Sequence, residues 1–178
     1  VLDQAEAGIW PDALWRLVEE SGFAQVCSTE SDEIGDGWQN AYPVLHATGY
    51  YRVPLPLAET IVANALLDLA GIDRQGGPMT VIEQDDRLRF HVEGDRLTLN
   101  GTAASVPWAR FARRVVVSGR CAAQRVLGVV DIPATGVEIS PAENVAGEPR
   151  DLVGFRQTPC VRFAVCDDRL PDAPVTLL

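Results

Sequence analysis

The sequence predicts an α+β chain in which a small N-terminal helical domain is followed by an antiparallel β-barrel or sandwich domain. Over residues 1–74 apolar side chains recur at helical spacing, whereas from residue 75 onward the period changes to two. The alternating runs then return about every ten residues with Pro or Gly between many of them, which is the spacing of an all-β sandwich or barrel. The expected domains are therefore 1–74 and 75–178, divided near residues 74–78 with no long flexible linker. Residues 97–117, LTLNGTAASVPWARFARRVVV, mark the stretch around which the two halves are organised, read as a strand, a glycine turn, a small-residue strand and a second apolar run.

Each helix follows from local chemistry. In 9–22 (IWPDALWRLVEESG) Pro11 suits a first turn, Asp12 complements the helix dipole and Gly22 is a stop. Trp10, Leu14, Leu17 and Val18 fall on one stripe and are expected to be buried. The acidic loop that follows carries Glu30, Asp32, Glu33 and Asp36 but lacks the spacing of a calcium loop. Residues 38–48 have helical spacing at Trp38, Tyr42 and Leu45, with Gly49 as a stop and Pro43 as a kink or first turn. LAETIVANALLDLAG is the strongest helix, with Ile61, Val62, Ala65, Leu66 and Leu69 on its apolar face and Gly71 at its end.

The strands are MTVIEQ, RLRFHVE and RLTLNG, with Gly94-Asp95 as a two-residue hairpin turn, followed by AASVPWA, RRVVVSG, AQRVLGVVDI, TGVEIS, DLVGFR and CVRFAVCD.

Composition narrows the function. The 178 residues are 47% apolar and 22% charged, an ordinary globular mixture, and the formal net charge is −10. An acidic chain of this kind has no basic excess with which to grip nucleic acid or an anionic membrane surface. No window approaches the roughly eighteen unbroken apolar residues of a membrane span, and the acidic start is neither a signal nor a transit peptide, so a cytoplasmic location is expected. The chain begins at Val1 rather than Met, which suggests trimming or an excised piece. The four cysteines, Cys27, Cys121, Cys160 and Cys166, read as thiols in a reducing compartment. Alternation places Cys160 and Cys166 on one strand face about 20 Å apart, too far to bridge.

Familiar catalytic signatures are missing from the sequence: no glycine-rich dinucleotide fingerprint, P-loop, nucleophile elbow, zinc helix or paired C-x-x-C. His46 reads as a packed or surface side chain and His91 as solvent-facing. Asp85-Asp86 and Asp167-Asp168 read as solvated turns, and no metal site is expected. Arg110, Arg113 and Arg114 stand beside Trp108 and Phe111, and guanidinium groups next to aromatic faces suit a planar, phosphate-bearing ligand as well as a plain charged surface.

Several strings, taken in order, resemble the acyl-CoA dehydrogenase family: STESDEIGDG, YRVPLPLAETIVANALLDLAG, LTLNGTAASVPWARFARRVVVSG, VLGVVDIPATGVEISP and VRFAVCDDRLP. The resemblance covers essentially the whole chain. It implies an N-terminal helical domain and a middle β-domain of an enzyme that uses FAD to remove hydrogens from the α and β carbons of an acyl-CoA thioester, a step of fatty-acid metabolism. It also implies a C-terminal helical bundle carrying the glutamate base; because the chain stops at Leu178, that base is expected to be absent, no catalytic residue is assigned, and the piece alone is expected to be inactive. The family's Trp-Ile-Thr/Ser-Asn segment, which packs on the flavin, lines up with Ser105, Val106, Pro107 and Trp108, the cofactor-binding positions expected here. Ser105 replaces the tryptophan and Pro107 the hydroxyl residue, and MTVIEQDDRLRFHVEGD keeps no Thr-Glu-Pro string. An acyl-CoA dehydrogenase-like flavoprotein acting as a homo- or hetero-oligomer is thus the first reading. A non-catalytic partner subunit that does not itself bind FAD is the alternative, and a free-standing β-barrel binding module the third.

Overall fold

The computed structural model describes residues 8–27, 34–122 and 124–166, without the side chains of 34–36. The acidic loop residues Glu30, Asp32 and Glu33, the side chain of Asp36, and Asp167-Asp168 therefore lie outside what is described. The described residues form an α+β fold of three α-helices and eight strands.

Helix α1 spans Asp12–Ser21, with Pro11 as its N-cap and Gly22 closing it in the left-handed conformation at φ 74°. It buries Trp15 and Val18, while Leu17 is 61% exposed. The expected stripe is thus rotated: the face that meets the other helices runs through residues 11, 15 and 18, with Trp10 and Leu14 at its margin. Helix α2 spans Ile34–Tyr50 and contains Pro43 in its interior. The proline costs one backbone hydrogen bond but does not end the helix, because Ala41, Val44 and Leu45 on either side are held in the helical core. Gly49 does not stop it either. The chain turns at Arg52, which takes φ 48° while the Val53 N–H donates to the Thr48 carbonyl at 2.9 Å. Tyr42, expected on the apolar stripe, is exposed beside His46 and Tyr50.

Helix α3, Leu57–Leu69, is central and buried on nearly every side from Leu57 to Leu67. Ile61 and Ala65 face α1 and α2. Val62, Leu66 and Leu67 face the β-sheet instead. A helix this uniformly apolar is explained by having a partner on both sides. Thr60 joins the layers, donating to the Pro56 carbonyl at 2.7 Å and accepting from the Met79 N–H at 3.0 Å.

Strands β1 (Met79–Glu83), β2 (Leu88–Glu93), β3 (Arg96–Pro107), β4 (Arg114–Cys121), β5 (Gln124–Asp131), β6 (Val137–Ser140), β7 (Arg150–Pro159) and β8 (Arg162–Cys166) form two four-stranded sheets. One is ordered β1-β4-β5-β8 and the other β2-β3-β7-β6. The sheets face each other across Ile82, Leu88, Leu99, Val117, Val153 and Phe155. They are not closed into a barrel. The pairing is not wholly antiparallel either, since β1 runs parallel to β4 with Val81 opposite Val116. Val115, Val116 and Val117 are all fully buried because the first sheet has the second on one face and α3 on the other.

Two local expectations change. Gly94-Asp95 does make the two-residue β2–β3 turn, with Glu93 opposite Arg96. Gly101, however, makes no turn: β3 runs through it as one strand with register shifts at Leu99/Gly101 and Ala103/Val106. Cys160 and Cys166 do not share a face. The chain crosses between sheets after Pro159, so Cys160 packs against the inter-sheet core and Cys166 against the face covered by α3. All four cysteines are thiols.

Candidate functional site

The site begins where β3 ends. Trp108 takes a left-handed conformation, φ 56°, and turns the chain into a single 3-10 turn, Ala109–Phe111. That turn is held by a distant carboxylate. The Arg110 backbone N–H donates to Asp151 Oδ2 at 2.8 Å and its Nε to Oδ1 at 2.9 Å. Asp151 is fully buried and also accepts from the Ala142 N–H at 3.1 Å. Arg110 completes the clamp by donating to the Ala142 carbonyl at 2.5 Å. Between these anchors the loop of residues 142–149 is ordered by Asn144, whose Oδ1 accepts from the N–H groups of Ala146 and Glu148. The Trp108 N–H donates to the Pro149 carbonyl. The loop delivers Glu148 beside Arg150, the first residue of β7, and the two pair at 3.3 Å.

From the helical side, the residue before the α1 cap, Trp10, stacks on Phe111 with ring centroids 5.5 Å apart and planes 25° from parallel. Trp108 lies 6.2 Å beyond Phe111. These rings form one wall of an open cleft of about 550 Å³ between the helices and the sandwich. Val53, Leu55, Ala58 and Glu59 also line it, with Arg110 from the 3-10 turn and Arg150 from the start of β7. Burial pushes the Glu59 carboxyl above its ordinary range; Glu148 pushes in the same direction, while its backbone hydrogen bond and the Arg150 guanidinium pull it down.

The expected site residues are dispersed. Ser105 is exposed at the second irregularity of β3, with φ 56°. Val106 is buried in the inter-sheet core, Pro107 is half-buried, and of the four positions Trp108 lines the cleft. A flavin needs flat contact for its ring and donors for its ring acceptors. Position 105 presents only a small hydroxyl, position 107 has no N–H, and the side chain between them is turned inward. These residues do not fit the group.

The arginine cluster is also drawn apart. Arg110 is held by Asp151, and Arg114 by Asp131 at 2.9 Å and the Gly76 carbonyl. His46 and His91 are both exposed. No group of three or more potential metal ligands occurs among the described residues. Also among the described residues, no helix is long and apolar enough to cross a membrane. Trp10, Glu59 and Arg150 were not singled out from sequence as site residues. A carboxylate in the first turn of a largely apolar helix was the available signal for Glu59.

No family model matches the chain, and no curated protein matches it. Solved structures do. A variant of the steroid ACAD Tcur3481-Tcur3483 is 24% identical, with TM-score 0.73, over 93% of this chain and 50% of its own. The ChsE4-ChsE5 complex from Mycobacterium tuberculosis gives 19%, 0.73, 94% and 50% for the same quantities. A glutaryl-CoA dehydrogenase from Mycobacterium smegmatis in complex with FADH2 gives 12%, 0.64, 98% and 52%. The chain spans about half the length of these structures. It has the fold of the corresponding half of the acyl-CoA dehydrogenases, as the motif resemblance implied.

Proposed function

We propose that this chain is the helical and β-sandwich portion of an acyl-CoA dehydrogenase-type oxidoreductase subunit. The complete assembly would carry out FAD-dependent α,β-dehydrogenation of an acyl-CoA thioester. The observation that carries the reading is the match of fold across nearly the whole chain to structures of that family. A cytoplasmic, oligomeric enzyme goes with it.

Between a flavin-holding subunit and a non-catalytic partner, Ser105 and Pro107 favour the partner. They remove the flat ring and a donor from the positions where the family resemblance expects flavin contacts. One structure with this fold is itself a complex of two named proteins, which supports a hetero-oligomer as the setting.

Purified protein incubated with FAD and desalted is expected to remain colourless. Retention of stoichiometric flavin absorbance would overturn the partner reading in favour of a flavin-holding subunit.

A further inference from the structure

The cleft lined by Trp10 and Trp108 has a chemistry that the acyl-CoA dehydrogenase reading does not use. Its volume of about 550 Å³ falls in the range of small-molecule pockets, roughly 300–1,000 Å³. Trp10, Phe111 and Trp108 follow one another at 5.5 and 6.2 Å, the first pair stacked and the second tilted by 47°, so aromatic rings cluster in the lining. Val53, Pro54, Leu55 and Ala58 add aliphatic and ring carbons to the lining.

The charges decide what fits. Arg110 is neutralised by buried Asp151 and approached by Glu143 at 3.7 Å, and Arg150 is paired with Glu148. Arg52 stands exposed at the mouth, where solvent screens it. Neither cation inside the cleft is left over for a phosphate or free carboxylate. The Glu59 carboxyl, half-buried in the same lining, brings no positive charge with which to hold an anion.

We propose that this cleft binds a flat, uncharged, ring-bearing molecule, its ring against Trp108 and Phe111. Of the planar, phosphate-bearing ligand that the arginine and aromatic cluster suits by sequence, the cleft keeps the planar part and not the phosphate. The proposal goes beyond the dehydrogenase reading and does not rest on it.

The test is titration of the whole chain with prodan, an uncharged naphthalene ketone whose emission reports polarity, alongside ADP and naphthalene sulfonate as anionic ring compounds. Prodan is expected to bind saturably at one site with blue-shifted emission, and the two anions not to saturate. Trp108→Ala should weaken prodan about tenfold or more, while Trp108→Phe keeps most of the affinity. Each variant is compared at a temperature where its circular dichroism matches the parent. Non-saturable prodan binding, tighter binding of ADP, or an unchanged affinity in Trp108→Ala would overturn the proposal. Because prodan is neither a flavin nor a thioester, such a failure leaves the flavin test untouched.

Discussion

Arg110 donates from Nε to Oδ1 of Asp151 at 2.9 Å, joining two residues 41 positions apart, one of them fully buried. The same carboxylate accepts from two backbone N–H groups, those of Arg110 and Ala142. One side chain therefore sets the position of both the 3-10 turn after β3 and the loop before β7, the two segments that build the sandwich side of the cleft.

Removing that charge should be costly. Breaking a buried ion pair by deleting one partner typically destabilises by about 3–5 kcal/mol, because the other partner stays desolvated and unpaired. Asp151→Asn is expected to lose stability on that scale in urea denaturation. In a double-mutant cycle, Arg110→Met should recover part of the loss. A change below about 1 kcal/mol for Asp151→Asn would show that the clamp is dispensable.

Glu59 makes stability depend on pH. A carboxyl whose folded value is raised favours folding below its unfolded value of about 4.3, and that contribution is lost as pH rises through the folded value. Glu59→Gln removes this titration. It is expected to be more stable than the parent near pH 7, with the advantage shrinking as the pH is lowered toward about 4. Denaturant midpoints at the two pH values decide it, and an equal difference at both would contradict the burial argument.

Gly101 is held by contact as well as conformation. It takes φ 119°, and a Cβ there would meet the Arg87 carbonyl oxygen and carbon, backbone atoms that have no rotamer to move. Gly101→Ala should cost at least about 2 kcal/mol by strain and loss of the β2–β3 register. Thermal unfolding measures the cost, and a melting temperature equal to the parent's would refute it.

Thiol reactivity should divide the cysteines. Burial raises Cys27 to about 11 and Cys160 to about 12, so neither supplies appreciable thiolate at neutral pH. In the native protein, a disulfide reagent is expected to leave both unlabelled over the time in which denatured protein reacts at all four cysteines. Rapid native labelling of Cys160, read by peptide mass, would contradict its packing between the sheets.

Much of the fold was legible because local rules acted alone there. The Gly94-Asp95 hairpin needs only its turn residues, and Gly22 needs only its freedom to adopt positive φ. Local rules failed where a distant element intervened. Gly101 read as a turn because nothing nearby in sequence reveals that β7 pairs with β3 from Thr98 through to Pro107. Leu17 and Tyr42 satisfied a helical period, but periodicity leaves the rotation of a helix against its neighbours undetermined by a position or so. Pro43 could sit inside α2 because packing on either side outweighed one lost hydrogen bond.

The candidate site was less legible than the fold. Trp108 and Phe111 were visible as aromatics beside arginines, yet the pairing of Arg110 with Asp151 and of Arg114 with Asp131 was not. Those contacts join residues 41 and 17 positions apart.

By itself the sequence determined the order of helices and strands, the acidic character and the motif strings shared with acyl-CoA dehydrogenases, because each is written in short-range spacing. Tertiary structure alone decided that the sheets stay open, that α3 is buried between two layers, and that Trp10, Glu59, Trp108 and Arg150 share a cleft. Such meetings depend on how apolar faces are covered when distant segments close on one another, and that closure leaves no local mark on the chain.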